Sequence, residues 1–511
     1  MKKGSITVYL SLVFMILLSF LVAILQGSKL NAMKLKIESA LDLSMESALT
    51  EYNRPLLEEY GLLFIDDSYG TQYATTENLL SHMKKSFRKN IDPLYEYSDQ
   101  NLLKYLANQK LTDFYKITLD DLELTQLQYA TDHNGEVFRR QAIDYVKNQY
   151  ALNVLEDFIA ENKGNFDLIN SKGWFKEESQ NEKDLEENLG IIENGYKPSE
   201  NAYDEDGNII YSSEEVYEIS ADPDCGKDLP AVPDRNLILN MVVGENTLST
   251  ASASLDQVIS HREKSTLNTG NMELNDQSTL ESAENKLLFI KYILEKAGTF
   301  TSSKEDHALT YEVEYVLAGK QKDSENLKWV VNRILAIREC ANLIYLIADA
   351  EKQELIFTTS EALVGWIPAV GQVVVPIMQG IINAGWAYME GIQDVKTLLN
   401  GGKVPILKTR ATWKTDLDSI FGAAIGLETN GTSGLTYEQY LIAFLLLENE
   451  ETKVFRMMDL VEMNMRRKEG QEYFRMDACI SKFVVKAEVS GSDGRKFSLV
   501  RSRYYDTGSK E

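Results

Sequence analysis

SITVYLSLVFMILLSFLVAIL, Ser5 to Leu25, carries no charged side chain and follows Met1, Lys2, Lys3 and Gly4. At ~1.5 Å rise per residue, about 20 such residues cross a ~30 Å hydrocarbon core as a helix. The run is longer than the roughly 7 to 15 apolar residues of a secretory signal, and no A-x-A-like small-residue site closes it. It therefore reads as a retained transmembrane helix over residues 5–26, behind a short cytoplasmic leader, residues 1–4. The helical pattern continues past it. Leu30, Met33, Ile37, Leu41, Ser44, Ala48 and Tyr52 recur at spacings of three and four, on one stripe, until Arg54-Pro55. One helix of roughly 70 Å is expected from Ser5 to about Asn53, its second half an amphipathic extension over residues 27–54. The stripe needs a partner, either the chain's own globular domain or neighbouring subunits. On the second reading Leu30, Met33, Ile37, Leu41, Ala48 and Tyr52 form an assembly stripe, with Asp42, Ser44 and Glu46 exposed or facing the partner.

At 511 residues the chain has room for two or three domains, and 44% hydrophobic with 26% charged is ordinary for globular folds. The formal net charge of −25, with 53 Lys and Arg against 78 Asp and Glu, argues against nucleic acid, because a polyanion needs cations to displace its counterions. Cys225, Cys340 and Cys479 are scattered, with no C-x-x-C pair, so neither a disulfide framework nor a zinc ribbon is indicated.

Between residues 55 and 175 the pattern is mixed. GLLFI, Gly61 to Ile65, reads as a buried strand before a turn. Helices are expected over Thr76 to Lys89, Asn101 to Gln109 and Glu136 to Glu161, and a strand over Lys116 to Tyr129. Lys176 to Asp228 holds 17 acidic and 4 basic residues, the core of a solvated acidic insert, residues 176–235. Within it YDEDGNIIY, Tyr203 to Tyr211, resembles a hairpin turning at Asp206-Gly207. Residues 236–511 form a helix-rich second half. Helices are expected near Leu248 to His261 and Leu280 to Ala297, a strand at Thr310 to Leu317, and a helix from Glu325 to about Lys352 capped by Ser324. Ala362 to Met389 is free of charge but broken by glycines and prolines and dotted with Gln372, Gln379 and Asn383, which favours a buried helix pair over a second membrane span. A capping box at Thr436 to Gln439, a helix over Val454 to Arg467, and a hairpin of Cys479 to Val489 with Arg495 to Tyr504 complete the chain. The fold class is α+β.

Sites of chemistry are few. His82, His133, His261 and His307 stand apart from one another and from cysteine, so surface or capping roles outweigh metal ligation. There is no P-loop, no G-x-S-x-G elbow and no strand-linked G-x-G-x-x-G. Asp204, Asp206 and Gly207 share part of a calcium loop, but Ala202 and Ser213 occupy its first and twelfth ligand positions, so a β-turn is the better reading. Asp66, Ser68 and Gly70 resemble the D-x-S-x-S metal site of von Willebrand A-type adhesion domains, with Gly70 where a serine belongs; a turn again wins. No cofactor and no metal are expected, and catalysis is not.

The leader Lys2-Lys3-Gly4, then Ser5 and an apolar helix running into an amphipathic one, resembles the N-terminus of type IV pilin-like proteins, nearest to the tight-adherence (Tad/Flp) branch. The resemblance implies prepilin-peptidase cleavage between Gly4 and Ser5 and packing of the helix into a pilus or its membrane base. The fifth residue after the cut, commonly glutamate in pilins, is Tyr9 here. EYNRPLLEEYGLLFID (Glu51 to Asp66), EYVLAGK (Glu314 to Lys320), GGKVPILKT (Gly401 to Thr409) and RMMDLVEMNMR (Arg456 to Arg466) resemble an uncharacterised family of Gram-positive membrane-anchored proteins associated with that pilus system.

The expectation is a single-span cell-membrane protein with a large extracytoplasmic domain, a non-catalytic accessory or minor-pilin-like component of a Tad-type apparatus. Its partners would be the membrane, through residues 5–26, and pilus-assembly or pseudopilin-like proteins. Lys2 and Lys3 favour an inside N-terminus, against Lys29, Lys34 and Lys36 beyond the span. The alternative is a surface adhesin or ligand-binding protein on a simple anchor, with the acidic flap as its ligand contact.

Overall fold

A computed structural model of the chain describes residues 3–92, 115–171, 183, 186–206, 208–230, 238–243, 248–274, 282–422, 431–491 and 494–505. The expected helix at Asn101 to Gln109 lies outside them. The structure is α+β. Two compact units divide the chain, each from discontinuous segments: Met1–Gln149, Asp256–Glu281 and Val461–Glu511 make the first, and Tyr150–Leu255 with Ser282–Leu460 the second. The expected sequential halves, residues 55–175 and 236–511, are therefore not the folding units. Strand pairing is the reason, because residues 479–490 hydrogen-bond to strands from the first 130 residues.

In the first unit helix α1, Lys3–Leu49, runs unbroken through the apolar stretch and its extension. Its most apolar 18-residue window has no buried share, and among the described residues α1 alone is long and apolar enough to cross a membrane. Further along, Met33, Ile37, Ala40, Leu41, Met45 and Ala48 are buried in a core with Leu79, Met83 and Phe87 of α3, Thr76–Ile91, and with Phe483, Val485 and Ala487. The expected assembly stripe is thus an intramolecular packing face: Met33, Ile37, Leu41 and Ala48 are covered by the chain itself, with Leu30 and Tyr52 half-buried at its ends. Each large side chain removed from water contributes about 1.5–3 kcal/mol, which a helix lying on its own sheet collects without a second copy. The polar positions follow suit. Ser44 is buried with its hydroxyl donating to Leu41 O at 2.7 Å, and Arg503 donates to Asp42 at 2.9 Å. Arg501 lies 3.4 Å from Glu38, on the same side of its strand as Arg503. Lys36 Nζ donates to Ile91 O, closing the end of α3, and Tyr505 OH donates to Leu49 O, closing α1.

The sheet is antiparallel. β5, Cys479–Ser490, is central; β2, Thr118–Tyr129, lies along one edge, and β6, Lys496–Tyr504, along the other. β1 is only Ile65–Asp66, paired to Cys479 and Ile480. The expected strand from Gly61 is shorter because Gly61 caps α2, Arg54–Tyr60, with φ 69°, its N–H donating to Leu57 O. Asn53 caps the start of α2 and Pro55 sits in its first turn, so the proline opens a new helix after α1 has ended.

The expected helix over Glu136 to Glu161 is two: α4, Asp132–Gln149, and α5, Leu152–Ser171. Tyr150 leaves the register, its hydroxyl donating to Glu295 at 2.9 Å while Lys291 sits over its ring.

The second unit is helical. Besides α5 it contains α6, Ile238–Val242; α7, Ala283–Lys296; α8, Glu312–Ala318; α9, Asp323–Ala348; α10, Ala350–Val364; α11, Gly371–Leu399; α12, Tyr437–Leu447; and α13, Glu450–Met465, whose last residues enter the first unit. The expected strand at Thr310 to Leu317 is instead helix from Glu312 onward. Its alternating glutamates are buried: Glu312 accepts from Gly298 N and pairs with His307, and Glu314 accepts from Phe300 N and Tyr437 OH. Alternation therefore marked no solvent face. α9 begins at Asp323 rather than at a Ser324 cap, since the Asp323 carboxylate accepts from Thr310 N and Ser249 Oγ. The stretch near Leu248 to His261 forms only 3₁₀ turns, Leu255–Gln257 and Ile259–His261; Ser249 Oγ accepts from Ala251 N, a local bond that competes with helix. Ala362 to Met389, expected as a helix pair, is instead the end of α10, a turn and the larger part of the single helix α11; the Thr436 capping box is present, and β3, Ala202–Tyr203, pairs with β4, Ile209–Tyr211, as the expected flap.

Candidate functional site

α9 and α11 run antiparallel, placing Leu335 against Gly391 and Asn342 against Ala387. On this seam lie four charged groups. Arg338 Nε donates to Asp394 Oδ2 at 2.9 Å, Nη1 to Pro405 O and Ile406 O, and Nη2 to Asn342 Oδ1. Lys408 Nζ lies 2.6 Å from Asp394 Oδ1, 2.5 Å from Glu390 Oε1 and 3.1 Å from Thr412 O. Glu390 also accepts from Lys414 N and Thr415 N. None of Arg338, Glu390, Asp394 and Lys408 exceeds 5% exposure. Two cations face two carboxylates, so the buried set is neutral. Neutrality matters because an unpaired charge here costs several kcal/mol. Burial opposes the Arg338 charge, yet Asp394 beside it keeps the guanidinium above its ordinary range. Glu390 and Asp394 stand one turn apart on α11 and pin residues 405–415 to the helix from opposite ends.

That pinned loop forms the wall of a 660 Å³ open cavity with α10. Trp386 and Trp413 meet edge to face at 5.5 Å, and Lys352 Nζ lies 4.1 Å and 4.6 Å from their centroids. Both indole N–H groups donate to Thr415 O, which fixes the rings. Burial lowers the Lys352 ammonium below its usual value, opposed by Asp349, Glu390 and Asp416. Tyr345 OH donates to Asp349 at 2.7 Å; burial and that carboxylate push the phenol up to about 12, and the same bond holds Asp349 low. Carboxylates, cations and an aromatic corner in one open cavity can hold a small polar ligand.

The first unit carries a second buried network. Arg262 joins Glu462 at 2.6 Å and Asp477 at 2.9 Å; Arg475 also grips Asp477, and Arg466 joins Glu462. Burial pushes Glu462 up to about 7 despite the arginines. Asp67, also pushed to about 7 by burial and then by Asp66 and Asp477, leaves Oδ1 without a partner. Cys479 is buried beside them, its thiol well above the ordinary range through burial.

The residues singled out in sequence do not converge. Gly4 and Ser5 lie in the first turns of α1, and Tyr9 is exposed on it. His82 pairs with Glu51, His133 with Met272 O, His261 with Ser260 and His307 with Glu312. Among the described residues no three His, Cys, Asp or Glu could hold a metal. Asp66 Oδ1 accepts from Ser68 N and Ser68 Oγ from Gly70 N, which is a turn. Asp204 Oδ1 likewise accepts from Asp206 N and Asn208 N. Glu390, Asp394, Lys408 and Arg338 escaped sequence reasoning. Their signal was charge breaking into apolar helix: ILAIRECANLI around Arg338, and Glu390 with Asp394 closing a run without charge.

These features define a two-unit α+β protein with one N-terminal helix long and apolar enough to cross a membrane. Residues 233–491 match the family of unknown function DUF5702, and the chain belongs to that family. No curated protein and no solved structure matches. The matched residues include the four-charge set and all of the cavity's lining except Lys227.

Proposed function

We propose that the protein is a non-catalytic, single-span accessory or minor-pilin-like component of a Tad-type surface apparatus, its two units extracytoplasmic. The observation that carries this reading is α1. Its first half carries no charged side chain from Ser5 to Leu25 and lies unburied, and its second half is built into the core of the first unit without a break. A signal sequence would be cut away at a junction that here lies inside continuous helix, so retention fits better. The pilin-like leader at Lys2-Lys3-Gly4 and Ser5 supplies the link to the pilus system. With Met33 to Ala48 occupied internally, contacts with pilus-assembly or pseudopilin-like proteins fall to the bilayer half, residues 5–26. Crosslinking from Phe14 or Leu18 inside the membrane should capture such proteins. Capture of lipid alone would sink the assembly role and leave an anchor.

The cavity over Trp413 favours a second reading, a surface ligand-binding protein or adhesin. There the binding residues would be Lys352 and its neighbours rather than the acidic flap, and glycan or peptide binding by the full chain should vanish with Trp413→Ala. Binding that survives that change would remove this reading.

A further inference from the structure

We propose that Lys408 and Asp394 condense spontaneously into an intramolecular isopeptide bond, with Glu390 as proton relay. The groups meet the requirements of amide formation. Nζ lies 2.6 Å from Asp394 Oδ1, which sets it at the ~3–3.5 Å approach to the carboxyl carbon that attack requires. Asp394 Oδ2, the oxygen that stays as the amide carbonyl, already accepts from Arg338 Nε at 2.9 Å and Asn342 Nδ2 at 3.2 Å, donors placed where negative charge develops. Glu390 Oε1 lies 2.5 Å from the same Nζ, within reach to carry a proton. Lys414 N and Thr415 N donate to the Glu390 carboxyl and anchor it beside Nζ, in position to act as the relay.

The step balances. Glu390 takes one proton from the Lys408 ammonium and passes it to Asp394 Oδ1, leaving an amine and a carboxylic acid. The amine's lone pair attacks Cγ and forms the C–N bond while Oδ2 takes the charge beneath Arg338. Glu390 then moves a second proton from nitrogen to the Oδ1 hydroxyl, the C–O bond breaks, and Oδ1 leaves as water. The ammonium's three hydrogens end as one amide N–H and two on water. No oxidant or cofactor takes part. Burial favours the product by keeping water from the reverse reaction and by removing one positive and one negative charge from the interior, so the buried set stays neutral overall.

The test is the mass of the full chain, purified in detergent and held at neutral pH for several days. The expected mass is lower by one water than that calculated for the chain from its observed N-terminus. After denaturation and trypsin, residues 404–410 should remain uncut at Lys408 and joined to residues 353–396. Lys408→Arg, which keeps the cation but has no attacking amine, and Glu390→Gln should both show the unmodified mass, with circular dichroism reporting that each is folded. A folded wild-type chain of unmodified mass, an uncondensed ion pair, overturns the proposal whatever the variants do. So does an amide mapped to Glu390.

Discussion

Leu41→Ala separates a helix that packs on its own domain from one that packs on a neighbour. Leu41 is 0% exposed, in a core with α3 and the inner face of β5, whereas Leu35 on the same helix is 68% exposed. Truncating a fully buried leucine costs ~2–5 kcal/mol through lost transfer energy and the cavity left behind. An exposed position stays within about 0.5 kcal/mol. Because all five tryptophans fall in the second unit, the readout is hydrogen exchange of the β5 amides in the full chain. At about tenfold per 1.4 kcal/mol, Leu41→Ala should speed that exchange by at least ~30-fold, and Leu35→Ala by less than about threefold. If β5 protection is unchanged in Leu41→Ala while associated proteins are lost, the stripe is an assembly surface and the packing argument is wrong.

Asp67 carries a pH signature. Its folded value, raised from 3.8 to about 7, means that the stability it contributes is fully present below about pH 4 and is lost as pH rises through about 7. Asp67→Asn should thus match wild type at pH 4 and exceed it at pH 8 by on the order of 4 kcal/mol in the β5 exchange assay; equal stability at pH 8 would contradict the buried, partnerless Oδ1. Arg503→Glu, facing Asp42, should destabilise the first unit by about 1 kcal/mol, and Asp42→Arg in the same chain should restore it in a double-mutant cycle. Lys352→Met removes the cation from both cavity rings, so tryptophan emission should shift while circular dichroism holds; an unaltered spectrum would contradict that contact.

Elements whose pattern reflects burial on one face were readable in sequence. The stripe of α1, the Thr436 capping box and the β5 and β6 hairpin follow local periodicity or a local cap. Thr310 to Leu317 misled because Glu312 and Glu314 are satisfied inside the core by backbone N–H groups and Tyr437, partners that lie far along the chain. The choice between own domain and neighbour for Leu41 turned on a strand more than 400 residues away, which no window contains. The site was hidden for the same reason: Arg338, Glu390, Asp394 and Lys408 acquire meaning only when α9 meets α11. Yet the stretches that carried the family resemblance supply the networks. Lys408, Pro405 and Ile406 belong to GGKVPILKT; Tyr315, whose hydroxyl donates to Asp459, belongs to EYVLAGK; and Asn464, which donates to Tyr60 OH, belongs to RMMDLVEMNMR.

The central claim is that α1 is kept as a membrane helix continuous with the first unit. N-terminal sequencing of the chain extracted from cell membranes tests it most directly. A start at Ser5 is predicted, with residues 5–49 retained; a mature chain beginning beyond Leu25 would contradict it.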